Sequence, residues 1–312
     1  MPWVTIDCQY LFPQFAASFL RVVNGRAIFI ENNTVHAVPR LMKELRSHQV
    51  SPENVDFLIV THAHLDHAGG TSLLADLCPR ATVLAHPKAA RTLINPERII
   101  ESAKKVYGEK KFLELYGEIK PVPEERVRLI SDGEAISWQD TPLKFFFTAG
   151  HASHHFCVLD EKEKAIFTGD SFGLCYPALK GTKDFHFPST SPIDFDFEEA
   201  IRSVDKIVAS GAETAFLTHF GPVGHLKRRG EELKRHLAFH QGLIDRAILE
   251  NISSSVLQGF MVGILTQYVE AELKGSGINS TEEVRDLLRG DLELNAAGLA
   301  YCVRKKREAK SK

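Results

Sequence analysis

No uninterrupted apolar run in the 312-residue chain approaches the ~18 residues of a membrane-spanning helix, so a membrane protein is not expected. Its formal charge is only −2, leaving no broad positive field to hold a polyanion, and nucleic acid is not the expected partner. The start, MPWVTIDCQYLFPQF, lacks the basic residues that open a secretory leader, and the expected location is cytoplasmic. Cysteine is scarce. Cys8, Cys78, Cys157, Cys175 and Cys302 are odd in number and form no C-x-x-C pair, which argues against a disulfide framework or a zinc ribbon. Low-complexity segments and internal repeats are absent. So are a G-x-S-x-G elbow and a Cys-His motif, so nothing announces a side-chain nucleophile.

What is present has the balance of a globular enzyme, 44% hydrophobic and 25% charged. Ala17 to Glu31 reads as a hairpin, because Asn24-Gly25 separates two apolar runs. A helical stretch, VPRLMKELRSH, follows, and then the strand DFLIV leads into THAHLDHAGG at 61–70. The pattern recurs. ATVLA runs to His86, LKFFFT to Ala149-Gly150-His151, KAIFT to Gly169-Asp170, and TAFLT to His219. Ligand-type residues at successive strand ends point to one shared site on the rim of a sheet.

Residues 88–125 are helical in period and form an insertion, read either as a flap over the rim or as a helix packed on the outer face of the sheet. After Gly221-Pro222 only helical patterns remain. Val256, Leu257, Phe260, Met261, Ile264, Leu265, Tyr268 and Val269 make one apolar stripe, suited to a core or a subunit interface, and a homodimer is expected. The expected division is therefore a domain of residues 1–225 and a helical extension of 226–312, ending in the solvated basic tail VRKKREAKSK.

His62, His64, Asp66 and His67 fall within six positions. Packing three imidazoles and a carboxylate into one turn without a cation would strand buried polar groups, so a metal site is the expectation. His62 and His64 are two apart in an extended segment and point to one side. Asp66 and His67 are adjacent and point differently, so one loop serves two neighbouring cations. The isolated His36, His48, His186, His236 and His240 are read as packed or surface residues, and His86 and His154 as structural ahead of substrate contacts.

H-x-H-x-D-H at 62–67, G-H at 150–151, T-G-D at 168–170 and T-H at 218–219 together resemble the metallo-β-lactamase superfamily, over roughly residues 15 to 225. More finely, TAGHASHH, TGDSFG, PVPEERV and the segment before DFDFEEA resemble a little-characterised hydrolase subgroup near acyl-homoserine lactonases and glyoxalase II. The resemblance implies an α/β fold, the αββα sandwich, here with a C-terminal helical extension. It implies two divalent cations, zinc first, with iron or manganese as alternatives. His62, His64 and His151 would hold one, Asp66, His67 and His219 the other, and Asp170 would bridge them. His155, four after His151, would support the ligands. Two departures stand out. Glu31-Asn32-Asn33 replaces the family's D-x-G, with asparagine tolerating a left-handed turn. Gly173 stands where lactonases carry a substrate-binding tyrosine, leaving Tyr176, Tyr107 and Tyr116 as substitutes.

The function expected is hydrolysis of an acyl bond (lactone, thioester or ester) in a small molecule. Two cations ~3.5–4 Å apart lower the pKa of a shared water from 15.7 to about 7, so that hydroxide is the nucleophile, with Asp66 orienting it or carrying its proton. The diiron oxygen reductases of the superfamily place glutamate where His64 stands. Persulfide dioxygenases keep histidine and remain the oxidoreductase rival, while a phosphodiesterase or nuclease would want a basic arm.

Overall fold

Strand β1 (Val4–Asp7) pairs antiparallel with β2 (Ala17–Val23), and β2 with β3 (Arg26–Ile30). Asn24 and Gly25 close that hairpin at φ 51° and 72°, the mirror-image turn whose twist matches its strands. Helix α1 (Val38–Ser47) carries the chain back to β4 (Val55–Val60), which runs parallel to β3. The short α2 (Leu65–Ala68) and α3 (Thr71–Leu77) precede β5 (Thr82–Ala85). Helices α4 (Pro87–Ile94), α5 (Glu97–Tyr107) and α6 (Glu109–Tyr116) then lead to β6 (Val127–Leu129), so the first sheet has the order β1-β2-β3-β4-β5-β6.

The second sheet begins with β7 (Ala135–Trp138), β8 (Thr141–Phe147), β9 (Phe156–Asp160) and β10 (Ala165–Gly169), antiparallel neighbours in sequence. Helix α7 (Phe197–Ala209) intervenes before β11 (Thr214–Leu217), which runs parallel to β10, and β12 (Gly221–Val223) closes the order β12-β11-β10-β9-β8-β7. Three helices follow: α8 (Leu226–Leu249), α9 (Leu257–Gly275) and α10 (Glu282–Lys310). The structure, a computed structural model, describes residues 2–190 and 194–310.

Two compact units divide these elements. The first takes in Met1–Phe147, His154–Gly169 and Ser210–Gly224, the second Thr148–Ser153, Asp170–Ala209 and His225–Lys312. In the first unit, alternate residues of both sheets meet in one core, among them Phe19, Ile28, Ile59 and Leu84 against Phe145, Phe156, Val158 and Phe167. The other face of the first sheet packs Leu20, Phe29, Leu58 and Val83 on Leu41 and Leu45 of α1, Leu74 of α3 and Leu93 of α4. Burying such side chains contributes roughly 1.5–3 kcal/mol each, which holds the strand ends rigid beneath the site.

The second unit is helical. Leu257, Met261, Leu265, Val269 and Leu273 of α9 are buried at a four-residue spacing, and α10 packs along both α8 and α9 through residues such as Leu288, Leu299 and Val303. No helix among the described residues is long and apolar enough to cross a membrane.

Candidate metal centre

The first unit builds its cluster on the end of β4. Thr61 continues the strand, its carbonyl accepting from Phe156 N at 3.0 Å, and His64 takes the extended conformation that starts α2. One helical turn then carries Asp66 and His67. The loop after β3 clamps that turn. Asn32 N and Asn33 N both donate to His67 O at 2.9 and 3.0 Å, and Asn33 Nδ2 donates to Asp66 O at 2.8 Å. Asn33 has φ 55°, the left-handed turn expected of it, and Glu31 is left-handed as well at φ 65°.

Glu31 stands beside the cluster, a placement the sequence reading missed. Its carboxylate is buried, accepts the Thr61 hydroxyl, and lies 3.3 Å from His67 Nδ1. An anion thus stands behind His67 on its Nδ1 side, and Nε2 lies 3.8 Å from Asp66 Oδ2. His219 repeats the arrangement: Nδ1 donates to Phe15 O at 2.9 Å, and Nε2 lies 3.5 Å from the same Asp66 oxygen. The ligand atoms of Asp66, His67 and His219 all lie within 4.8 Å of one another. An imidazole whose Nδ1 is engaged behind it offers a lone pair at Nε2, the tautomer a cation requires. Nearby, His62 Nε2 and His64 Nδ1 stand 2.9 Å apart, with Thr61 Oγ1 3.1 Å from His62 Nδ1. The donor set and its backing fit divalent cations with nitrogen and oxygen preference. Burial pushes the Asp66 carboxyl up, but His67, His219 and His64 outweigh it and hold the group well below the usual carboxylate range.

His155 lies 4.8 Å, ring to ring, from His62 and is buried. Gly169 explains part of the T-G-D motif. A Cβ there would stand 2.4 Å from His155 Nε2 and 2.6 Å from Thr61 Oγ1, so only glycine admits the ring. His154 accepts from Ala63 N at 3.3 Å, and His86 Nδ1 caps α4 by accepting from Lys88 N at 3.0 Å. Burial, with His154 and Lys88 nearby, lowers His86 to about 4, so it is neutral at physiological pH.

The insertion divides between the two readings: α4 packs Leu93 on the outer face of the first sheet, while α6 reaches the ligand turn. Phe112 and Tyr116 of α6 bury against Leu65 of α2, with Tyr10, Ile99 and Ile100 around them. Tyr10 is a second missed residue. It sits in a loop where Gln9, Leu11 and Gln14 all take left-handed φ, and its ring lies 6.2 Å from Tyr116 and 5.8 Å from Phe15, whose own ring meets His219 at 5.0 Å. Burial, and with it the Asp66 charge, pushes both the Tyr10 and the Tyr116 phenols up. Tyr107 is more exposed, 6.1 Å from Tyr116.

In the second unit, His151 Nδ1 donates to Ser189 O at 3.3 Å and its Nε2 lies 3.4 Å from Asp170 Oδ2. Ser189 Oγ donates to Asp170 Oδ2 at 3.4 Å. Asn295 of α10 clamps the chain on both sides of Ser189. Its side-chain oxygen accepts from Thr190 N at 2.7 Å and Thr190 Oγ1 at 3.0 Å, while Nδ2 donates to Pro188 O at 3.0 Å. No motif marks Asn295 in the sequence. Gly173 cannot be a tyrosine position, since a Cβ would meet Phe187 O at 2.4 Å. Tyr176 is buried, its hydroxyl donating to Asp291 Oδ1 at 3.3 Å. Of the isolated histidines, His186, His236 and His240 are buried in this unit and His36 and His48 lie outside every candidate ligand group.

A family model described as the metallo-beta-lactamase superfamily matches residues 29–219. A metallo-beta-lactamase fold-containing protein of Sulfurisphaera tokodaii is 27% identical over 72% of this chain and 78% of its own length. The atrochrysone carboxyl ACP thioesterase of Aspergillus fumigatus is 24% identical over 57% of this chain, which spans 42% of the thioesterase. A hydroxyacylglutathione hydrolase of Francisella philomiragia is 28% identical over 38% of the chain, spanning 34% of that enzyme. Among solved structures, an archaeal metallo-beta-lactamase superfamily protein from Sulfolobus tokodaii superposes with a TM-score of 0.66 at 21% identity, over 95% of this chain and 97% of that one. The shared fold is an α/β sandwich with a C-terminal helical extension.

Proposed function

The chain belongs to the metallo-beta-lactamase superfamily, and from that membership we propose that it is a metal-dependent hydrolase acting on an acyl bond, a lactone, thioester or ester, in a small molecule. The observation that carries the proposal is the common setting of His67, His219 and His151. His219 and His151 donate from Nδ1 to Phe15 O and Ser189 O and so present Nε2, while the Glu31 carboxylate stands 3.3 Å behind His67 Nδ1. The proposed metal-holding residues are His62, His64, Asp66, His67, His151, Asp170 and His219. Two bound divalent cations, zinc first, supply Lewis acidity towards an acyl oxygen and acidify a water at neutral pH. In the overall change water adds to the acyl carbon, the bond to oxygen or sulfur breaks, and a carboxylic acid and an alcohol or thiol leave.

Asp66, held ionised by His67, His219 and His64, accepts a hydrogen bond from the attacking water and orients it. His155 fills the space beneath Gly169 and beside His62, fixing that imidazole. Tyr10 and Tyr116, with their phenols kept protonated, offer O–H donors on the Asp66 side of the first unit, suited to a substrate carbonyl or leaving group. Similarity to a named thioesterase and to a hydroxyacylglutathione hydrolase supports acyl chemistry over oxygen chemistry. The cysteines take no part in this scheme: burial pushes Cys8 and Cys78 up to about 12. A homodimer remains part of the proposal.

Elemental analysis of protein purified without chelator tests the metal content, with about two ions per chain expected. Proton release from lactones, thioesters and esters is then compared with oxygen uptake on glutathione persulfide, using zinc-loaded and iron-loaded protein. Acyl hydrolysis abolished by chelation supports the proposal. Oxygen uptake by the iron form, with no acyl hydrolysis by either, overturns it in favour of a dioxygenase.

A further inference from the structure

The end of the second unit where α8 and α10 finish and α9 begins combines exposed apolar surface with positive charge, and the proposed chemistry uses neither. Leu249, the last residue of α8, is 87% exposed, and Val256, just before α9, is 57% exposed. No charged residue stands between Glu250 and Glu270. The connection and the first turns of α9 therefore meet solvent with serine, glutamine and glycine and with the half-buried Phe260 and Val262. The basic run VRKKREAK, solvated on the sequence reading, continues α10 through Lys310. Arg307 fastens it to the apolar connection, donating from one guanidinium nitrogen to Ile252 O at 2.9 Å and from the other to Ala247 O at 3.0 Å. Two acids at this end are already matched: Asp245 lies 3.4 Å from Lys306, and Glu250 2.8 Å from Arg246. Glu308 is the single acid within the basic run. Arg304 and Lys305 are exposed, and neither forms an ion pair among the described residues; Lys305 lies over the Tyr301 ring.

A partner for this surface has to serve both features at once. Nucleic acid would engage the cations and leave Leu249 and Val256 in water. A second copy docked through the same end would bring two basic helix ends together. An anionic bilayer offers hydrocarbon to the apolar residues and phosphate or carboxylate headgroups to the cations, whose long stems let the charge stay in the wet layer. We infer that this end of the second unit docks the protein on anionic lipid surfaces, with Leu249 and Val256 entering the headgroup boundary and Arg304 and Lys305 placed on the headgroups. The chain lies on the bilayer and does not span it, since no helix among the described residues is long and apolar enough to cross. The inference goes beyond the hydrolase reading and is tested without turnover, so the failure of one leaves the other standing.

The full chain is sedimented with vesicles of phosphatidylcholine alone and of phosphatidylcholine with about one third phosphatidylserine. Binding should favour the anionic vesicles and weaken as salt rises from about 0.1 M to about 1 M, where the screening length shrinks from about 10 Å to about 3 Å. Arg304→Gln combined with Lys305→Gln should lower vesicle affinity about 25-fold, at roughly fivefold per cation, the equivalent of about 1 kcal/mol each. Leu249→Ser should lower it at least about tenfold. All three side chains are exposed, so the variants should keep a native circular dichroism spectrum. Leu249→Trp gives a second reading against the background of the buried Trp3 and Trp138: its emission should shift to the blue on anionic vesicles and be quenched by lipids brominated in the chain. Sedimentation with neither vesicle overturns the inference, as does binding that both sets of substitutions leave unchanged. Retention of a DNA duplex or a single-stranded RNA through Arg304 and Lys305, with Leu249→Ser silent and no vesicle binding, assigns the cations to a polyanion and overturns it too. So does a dimer that Leu249→Ser converts to a monomer while vesicles go unbound, because a second copy then covers the surface.

Discussion

Glu31 occupies the position where the sequence departs from its family's loop, and its buried carboxylate against His67 Nδ1 makes it a positioning residue. Glu31→Gln keeps the shape and removes the charge. Metal affinity should fall about 10–100-fold, read by competition with a chromophoric chelator, because partners behind a ligand imidazole set its orientation and basicity. An unchanged affinity would reduce Glu31 to a packing role. Asp170→Asn goes further, since it replaces a proposed ligand rather than its support. Turnover at saturating metal should drop by more than about 100-fold while the far-ultraviolet circular dichroism stays native; wild-type kinetics with unchanged metal content would argue against a bridging carboxylate. The spacing of His62, His64, Asp66 and His67 was legible because chemistry clusters in one turn. Glu31 and Tyr10 were not. Their partners are distant in sequence, and a left-handed φ at glutamate, or at Gln9 and Leu11, leaves no compositional mark.

Helix α9 shows what periodicity can and cannot say about an element. The stripe read from the sequence includes both Ile264 and Leu265, yet Leu265 is 1% exposed and Ile264 is half-buried. Leu265→Ala should therefore cost about 2–5 kcal/mol in denaturant unfolding, and Ile264→Ala clearly less, because only the first opens a cavity. Equal losses would mean that Ile264 is covered in solution, as a homodimer through α9 would require. Strands followed the same logic. The hairpin of β2 and β3 was legible from Asn24-Gly25, and β4, β5, β8, β10 and β11 from apolar runs that end in ligand-type residues. Strand β9 was not, because FCVLD is buried on both faces and shows no alternation, and β1, β6, β7 and β12 are only three or four residues long. Helix α10 also has a role that no pattern announced. Asn295→Ala strips three hydrogen bonds from the loop carrying Ser189, so stability should fall by about 1–3 kcal/mol per orphaned group, and kcat should fall more than KM rises as His151 loses its backing. A kinetically silent variant would separate that loop from the chemistry.

At the scale of the whole molecule, three buried histidines outside the candidate centre govern the response to acid. His186 donates from Nε2 to Phe172 O at 2.6 Å, and burial, Arg229, His236 and Arg228 lower it to about 3. His236, 2.7 Å from the Tyr268 hydroxyl, is lowered to about 4 by burial and by Arg235 and Lys183, against the opposing pull of Glu272. Burial and His236 lower His240 to about 3. All three folded values lie below the ~6.5 of an unfolded histidine, so the unfolded chain takes up protons first as pH falls. Their neutral packing is fully compatible with the fold above about pH 6.5, and stability should decline from there down to about pH 4 for His236 and about pH 3 for His186 and His240, by up to ~1.4 kcal/mol per pH unit for each group. Urea unfolding at pH 7.5 and 5.0, with chelator present throughout so that metal release does not contribute, should show the loss. His240→Leu is the discriminating variant, because it removes one proton-uptake site while keeping an apolar side chain beside His236. Its stability should fall less steeply between those pH values than that of the wild type. Parallel profiles for the two proteins would show that His240 is already protonated, or exposed, in the folded state and that acid acts elsewhere.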